Sequence, residues 1–129
     1  MNTQFSSAFL LDCVHFKGFH DEILAVLPHY HCYLHTASFE GFGNCFVEAW
    51  FSGLPVVSYM LRGALPSLLN NDHLGALVSR DADALSFVNE ILRHSSKRFF
   101  VESLEFRRSY AKTFTADIIC RQYLSTLNE

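Results

Sequence analysis

The run Pro55-Val56-Val57-Ser58-Tyr59 comes two residues after an apolar helical stretch, and it constrains the fold more than any other part of the chain. A strand this short and this apolar has no solvent face to offer, so it must be covered on both sides, as in a parallel sheet flanked by helices. The stretch before it, Asn44–Ser52, reads as a helix closed by Gly53. The same alternation runs through most of the chain. Strands are predicted at Phe9–Phe16, Cys32–Thr36, Pro55–Tyr59 and Ala76–Ser79, and helices at Asp21–Leu27, Ala64–Leu69 and Ala82–Arg93. Asp21 is placed to favour the first of these helices and Pro28 to stop it. The third should bury Leu85, Val88, Ile91 and Leu92. Two further helices, near Val101–Lys112 and Ala116–Leu127, finish the chain. Strands joined to helices by short connections predict an α/β fold with right-handed crossovers.

At 129 residues with 50% apolar content, the chain is one domain with a core of ordinary size. No repeat, low-complexity tract or linker divides it. A net charge of −3 and the lack of a dense basic run argue against a nucleic-acid partner. Lys97, Arg98, Arg107, Arg108 and Lys112 are interleaved with acids, as on a solvated helix face. Cys13, Cys32, Cys45 and Cys120 have no C-x-x-C spacing, and no secretory or membrane-spanning segment is evident, so a reduced cytoplasmic setting is expected. Thirteen Phe is a heavy aromatic load, and some of these rings are expected to face something other than this chain's own core.

Chemistry concentrates in Ser38-Phe-Glu40-Gly41-Phe42-Gly43-Asn44-x3-Glu48. In parallel α/β sheets ligands bind beyond the carboxyl ends of the strands, where loops run into helix N-termini, and this segment occupies that place. Gly41 and Gly43 let backbone amides approach a ligand, and the helix N-terminus favours an anion such as phosphate. Along the helix only Asn44, Glu48 and Ser52 are polar, a stripe one residue wide. A lone carboxylate there must be paired or exposed through a narrow opening, because burying it unpaired is costly. Sugar or ribose hydroxyls would meet that need. The alternative is plainer: Glu40 caps the helix and Glu48 lies on a thin solvated face.

The pattern Glu40-Gly-Phe-Gly-Asn-x3-Glu48-Ala, followed by Gly53-x-Pro55-Val-Val, resembles the donor-site segment of the retaining GT-B glycosyltransferases that use nucleotide sugars, and in particular their group 1 family. Phe16-x-Gly18-Phe19 is similar to a strand-end motif of that family, and Gly75-Ala-Leu-Val78 to a later strand. The resemblance implies a partial Rossmann-like C-terminal domain with about four parallel strands and flanking helices. It implies a catalytic role for Glu40 beside the donor sugar, ribose binding by Glu48, and sugar and diphosphate contacts from Gly41, Phe42, Gly43, Asn44 and Gly63. A nucleotide-sugar donor (UDP-, GDP- or similar) and a glycan or lipid-linked acceptor are the implied partners, in polysaccharide biosynthesis, with peripheral membrane association of the full enzyme. No metal and no cofactor are implied. In the family the diphosphate leaving group acts as base in a same-face transfer, and the acids position the donor. They are not a hydrolase-type acid/base pair.

The chain departs from the family pattern at Ala37, where a Ser is usual, and at Met60-Leu61-Arg62-Gly63. The family's phosphate-binding Arg and Lys belong to βα units not found in these residues, as does the acceptor domain. The chain is therefore expected to be the last two-thirds of a donor-binding domain, lacking its two central strands. Phe9–Phe16 would then pair with Cys32–Thr36, stay an open edge, or pair with another chain, including a second copy. A different reading makes the chain a non-catalytic remnant or assembly module that pairs through this incomplete sheet, and a third makes it a generic α/β ligand-binding domain.

Other clusters are weaker. His29, His31 and His35 would share a face of an extended strand, but Pro28 breaks it and no fourth ligand is apparent for zinc. His35 at the strand end could border the ligand crevice. Asp72-His73 reads as turn chemistry, Phe99-Phe100 as core, and no nucleophile-elbow pattern is present.

Overall fold

The computed structural model describes residues 13–127. Its elements are α1 (Ile23–Val26) running into a 3-10 turn at Leu27–His29, β1 (Tyr33–His35), α2 (Asn44–Phe51), β2 (Val56–Tyr59), α3 (Leu65–Leu68), a 3-10 turn at Asp72–Leu74, β3 (Gly75–Val78), α4 (Ala84–Ser95), α5 (Lys97–Lys112) and α6 (Ala116–Leu127). The strands form a parallel sheet in the order β1-β2-β3, with Tyr33 opposite Val56 and Val56 opposite Gly75. The fold class is thus α/β, as expected. Of the four predicted strands, three are present among the described residues. Half of Phe9–Phe16 lies outside them, and its described end at Val14 and Phe16 is exposed and not in a strand.

Strand β2 has the neighbours its composition demands. Val56 points into one face of the sheet and Val57 into the other, and both are fully buried. On the Val56 side, Phe46, Ala49, Trp50, Leu54, Leu65 and Leu74 form the main core, closed by Ala111 of α5. On the Val57 side, Val78 and Phe87 form a smaller core beneath α4. The turn between α2 and β2 is fixed by two hydrogen bonds, Gly53 N–H to the Trp50 carbonyl (2.9 Å) and Leu54 N–H to the Ala49 carbonyl (2.8 Å). That pair is the Schellman closure, with Leu54 buried beside it, and it explains why the helix stops where the sequence places Gly53.

Two expectations are corrected. Helix α4 buries Phe87 and His94, with Ile91 packed beside them, while Leu85, Val88 and Leu92 are exposed at 62%, 45% and 64%. The ring of Phe87 stacks against Tyr59 at 4.6 Å between centroids, so the aromatic contact to β2 sets the helix rotation. Arg107 is not on a solvated face but fully buried. Its guanidinium donates to the carbonyls of Gly53 (2.7 Å), His73 (3.0 Å) and Phe100 (2.6 Å). Burial without a carboxylate holds its pKa down at about 10, against a weak opposing effect of Cys32. Three backbone acceptors and the Phe100 ring, 5.1 Å away, make that burial tolerable.

The turn reading of Asp72-His73 holds: Asn71 caps the 3-10 turn by accepting from His73 N–H at 2.9 Å. Phe100 packs at the margin of the core. All four cysteines are free. Among the described residues no helix is long and apolar enough to cross a membrane.

Candidate functional site

The loops at the carboxyl ends of the three strands meet. Phe39 and Arg62 form an isolated parallel bridge, and Ala64 N–H donates to the Gly41 carbonyl at 3.1 Å. Arg80, just past β3, donates from Nε to the Met60 carbonyl (3.1 Å) and from Nη2 to the Ala37 carbonyl (2.8 Å). The segment Ala37–Gly43 is therefore tied down from two neighbouring loops. Gly63 lies so near it that a β-carbon there would stand 1.9 Å from the Glu40 carbonyl oxygen. A side chain of any kind is excluded at this position.

Gly43 is the N-cap of α2, with φ 83° and ψ 60°. A β-carbon on it would also stand 2.3 Å from the Phe46 ring, so both conformation and packing require glycine. Gly41 differs: its φ is not positive, and nothing lies within 4 Å of where a β-carbon would be. The fold gives no reason for that glycine. Glu40 turns back on its own loop, its carboxylate accepting from Gly41 N–H at 3.0 Å. No side chain caps α2, so the amides of its first turn depend on other acceptors. Asn44 and Phe42 are exposed, and the Phe42 ring leans edge-on against Phe114, 5.8 Å away.

Glu48 is half-buried and accepts no hydrogen bond or ion pair on its carboxylate among the described residues. It borders an open cleft of about 560 Å3 together with the start of α1, including Asp21, Ile23 and Ala25. The polar stripe of α2 is therefore used unevenly. Asn44 is exposed, Glu48 faces the cleft, and Ser52 is buried with its hydroxyl on the Glu48 carbonyl at 2.9 Å.

Both glutamates act on one pair of groups behind them. The Tyr33 hydroxyl is pushed well above its ordinary pKa by burial first, then by the Cys45 thiol and by repulsion from Glu40 and Glu48. The Cys45 thiol is pushed up by burial, against the favourable Tyr33 contact, and further by the same two carboxylates. Both acids thus bear on Tyr33, which opens β1, and on Cys45 in the first turn of α2. Beneath them His35 stacks edge-on over Phe46 at 4.8 Å, and its Nε2 is buried without a hydrogen-bond partner among the described residues.

Arg80, Tyr33 and Cys45 were not singled out by sequence reasoning. The position of Arg80 directly after a predicted strand was the one available signal. The histidines His29 and His31 do not join His35: among the described residues no group of three His, Cys, Asp or Glu side chains could hold a metal ion.

Comparison with known proteins places these observations in context. The family described as glycosyl transferases group 1 matches residues 3–96 of the chain. Among solved structures, the chain is similar to one described as the crystal structure of the GtfA/B complex, with a TM-score of 0.73 at 22% identity, covering 91% of this chain and 24% of that one. That likeness is one of fold, and the chain spans about a quarter of the other's length. No curated protein matches the chain.

Proposed function

The chain belongs to the group 1 glycosyl transferases, and we propose that it is the donor-binding part of a GT-B enzyme that transfers a sugar from a nucleotide-sugar donor with retention of configuration. The cleft beside Glu48 takes the nucleoside, its carboxylate accepting from ribose hydroxyls. The sugar and diphosphate lie over Gly41–Asn44, where the uncapped amides of α2 and the end of its dipole receive negative charge. Gly63 contributes from the facing loop. Glu40 stands beside the sugar. During transfer the bond between the anomeric carbon and the diphosphate oxygen breaks, and the acceptor oxygen bonds to that carbon on the same face. The departing diphosphate takes the acceptor's proton, while Glu40 stabilises the developing positive charge on the sugar. The acceptor, a glycan or lipid-linked sugar, is held by a domain outside these residues.

The observation that carries the reading is Glu48. A half-buried carboxylate on a helix whose other polar side chains are Asn44 and Ser52, without a partner among the described residues and open to a cleft, is available to a ligand. Gly41 supports it, since its missing side chain leaves space that the fold itself does not fill.

The test is an amide NMR titration of the chain with UDP- and GDP-sugars. Shifts of Gly41–Asn44 and of residues near Glu48 are expected, and Glu48→Ala should abolish them. No movement at millimolar ligand would refute a donor site in this chain.

A further inference from the structure

A second cleft of about 540 Å3 opens on the other side of the Glu40 segment, lined by Ser38, Phe39, Met60, Leu61, Arg62 and Arg80. Its charged residues are two arginines, and no carboxylate lines it. This distinguishes them from the other arginines of the chain. Arg93, Arg98, Arg108 and Arg121 each sit against an Asp or Glu, and Arg107 is spent in the core. Arg80 is held by two backbone carbonyls, which fix its guanidinium but neutralise none of its charge. The guanidinium of Arg62, an exposed residue, makes no hydrogen bond or ion pair among the described residues. Two cations are thus brought to one concave surface, one rigidly and one free to move, with the Ser38 hydroxyl beside them. The whole assembly shares its backbone with Glu40 through the Phe39–Arg62 bridge.

We infer that this cleft is a phosphate-binding subsite in which Arg62 makes the direct contact and Arg80 supplies fixed charge while holding the Ala37 and Met60 backbones in place. Guanidinium groups match phosphate oxygens with paired, charge-assisted N–H donors, and a polarised cleft without acids suits a dianion best. The chemistry is shared by two sources, the diphosphate of the donor and a phosphate on the acceptor. Only the choice between them rests on the proposed donor site. The binding of phosphate does not.

The experiment uses the full 129-residue chain, isotope-labelled, at low ionic strength. Inorganic pyrophosphate is expected to shift the amides of Ser38, Phe39, Leu61 and Arg62, with an affinity that falls as salt is added. Arg62→Gln, an exposed change that leaves the fold intact, should weaken that binding about tenfold. Arg80→Lys keeps the charge but loses the fork to the two carbonyls. It should weaken binding and also move the Ala37 and Met60 amides in the unliganded chain. Cleft amides unmoved by pyrophosphate, or unchanged affinity in Arg62→Gln, would overturn the inference.

Two further probes identify the source. If UDP-glucose shifts the cleft and the Glu48 surroundings in one saturating step, the phosphate is the donor's. If glucose 6-phosphate occupies the cleft while UDP-glucose moves only the Glu48 side, it is the acceptor's. Pyrophosphate binding with no response to any nucleotide sugar would refute the donor site and leave the phosphate subsite standing.

Discussion

Gly63 presses against the main chain of Glu40, with only 1.9 Å between the Glu40 carbonyl oxygen and the point where a β-carbon would be attached. Gly41 is the next residue along, and the position of its own β-carbon is open space. These two glycines should therefore respond differently to the same substitution. Gly63→Ala must push the two loops apart and is expected to cost about 2–4 kcal/mol, seen as a lower midpoint in urea unfolding. Gly41→Ala should leave stability within about 1 kcal/mol of the parent, because its backbone already suits an L-residue. It should nonetheless weaken nucleotide-sugar binding in the amide titration. Equal stability losses in the two variants would show that Gly41 is structural.

Arg107 is the one fully buried arginine among the described residues, and its partners are all carbonyl oxygens. Arg107→Met keeps much of the volume but strands three acceptors in the core. A loss of about 3 kcal/mol is expected by chemical denaturation. Arg98→Met, on an exposed helix position paired only with Glu102, should change stability by less than about 0.5 kcal/mol.

The protein should lose stability in alkali from pH 9 upward. Burial raises the Cys32 thiol from 9.0 to about 11, and burial also raises Tyr33, Cys45 and Tyr110. Above pH 9 the unfolded chain releases the Cys32 proton while the folded one keeps it, so the native state binds more protons and stability falls as pH rises. For Cys32 alone the loss is about 1 kcal/mol between pH 9 and 10. Arg107 works in the opposite sense, but only above its folded pKa of about 10, where the unfolded chain binds the extra proton. Melting curves from pH 8 to 10 should show the decline, and Cys32→Ala should flatten it.

Helix α4 carries two apolar stripes, and the structure uses the less obvious one. Phe87→Ala should cost about 3 kcal/mol, since the ring is 8% exposed and stacks on Tyr59. Leu85→Lys and Leu92→Lys should leave the melting temperature nearly unchanged and improve solubility.

That helix also marks the limit of what the sequence could tell. Leu85, Val88 and Leu92 have helical spacing, and so do Phe87, Ile91 and His94. Periodicity cannot choose between them, and a histidine in the second set disguises it as the polar side. The alternation of strands and helices was legible, because β2 is apolar on both faces and Gly53 stops α2 at a fixed point. The two glutamates were legible as well, since eight residues along one loop and helix keep them near each other. The cations were not. Arg80 is held by the carbonyls of Ala37 and Met60, and Arg107 by those of Gly53, His73 and Phe100, and backbone acceptors leave no trace in side-chain patterns.

The bond from Arg107 to Gly53 spans 54 residues. As the chain leaves the ribosome, the Ala37–Gly43 loop, α2 and β2 are complete long before the side chain that seals their junction has been made. Until then the Gly53 carbonyl lacks this donor, and Trp50 lacks the cover of α5. The glutamate-bearing segment should thus stay protease-sensitive through most of synthesis and consolidate late, when α5 docks. Nascent chains arrested before residue 107 should be open to chaperones and degradation in the segment proposed to recognise the ligand.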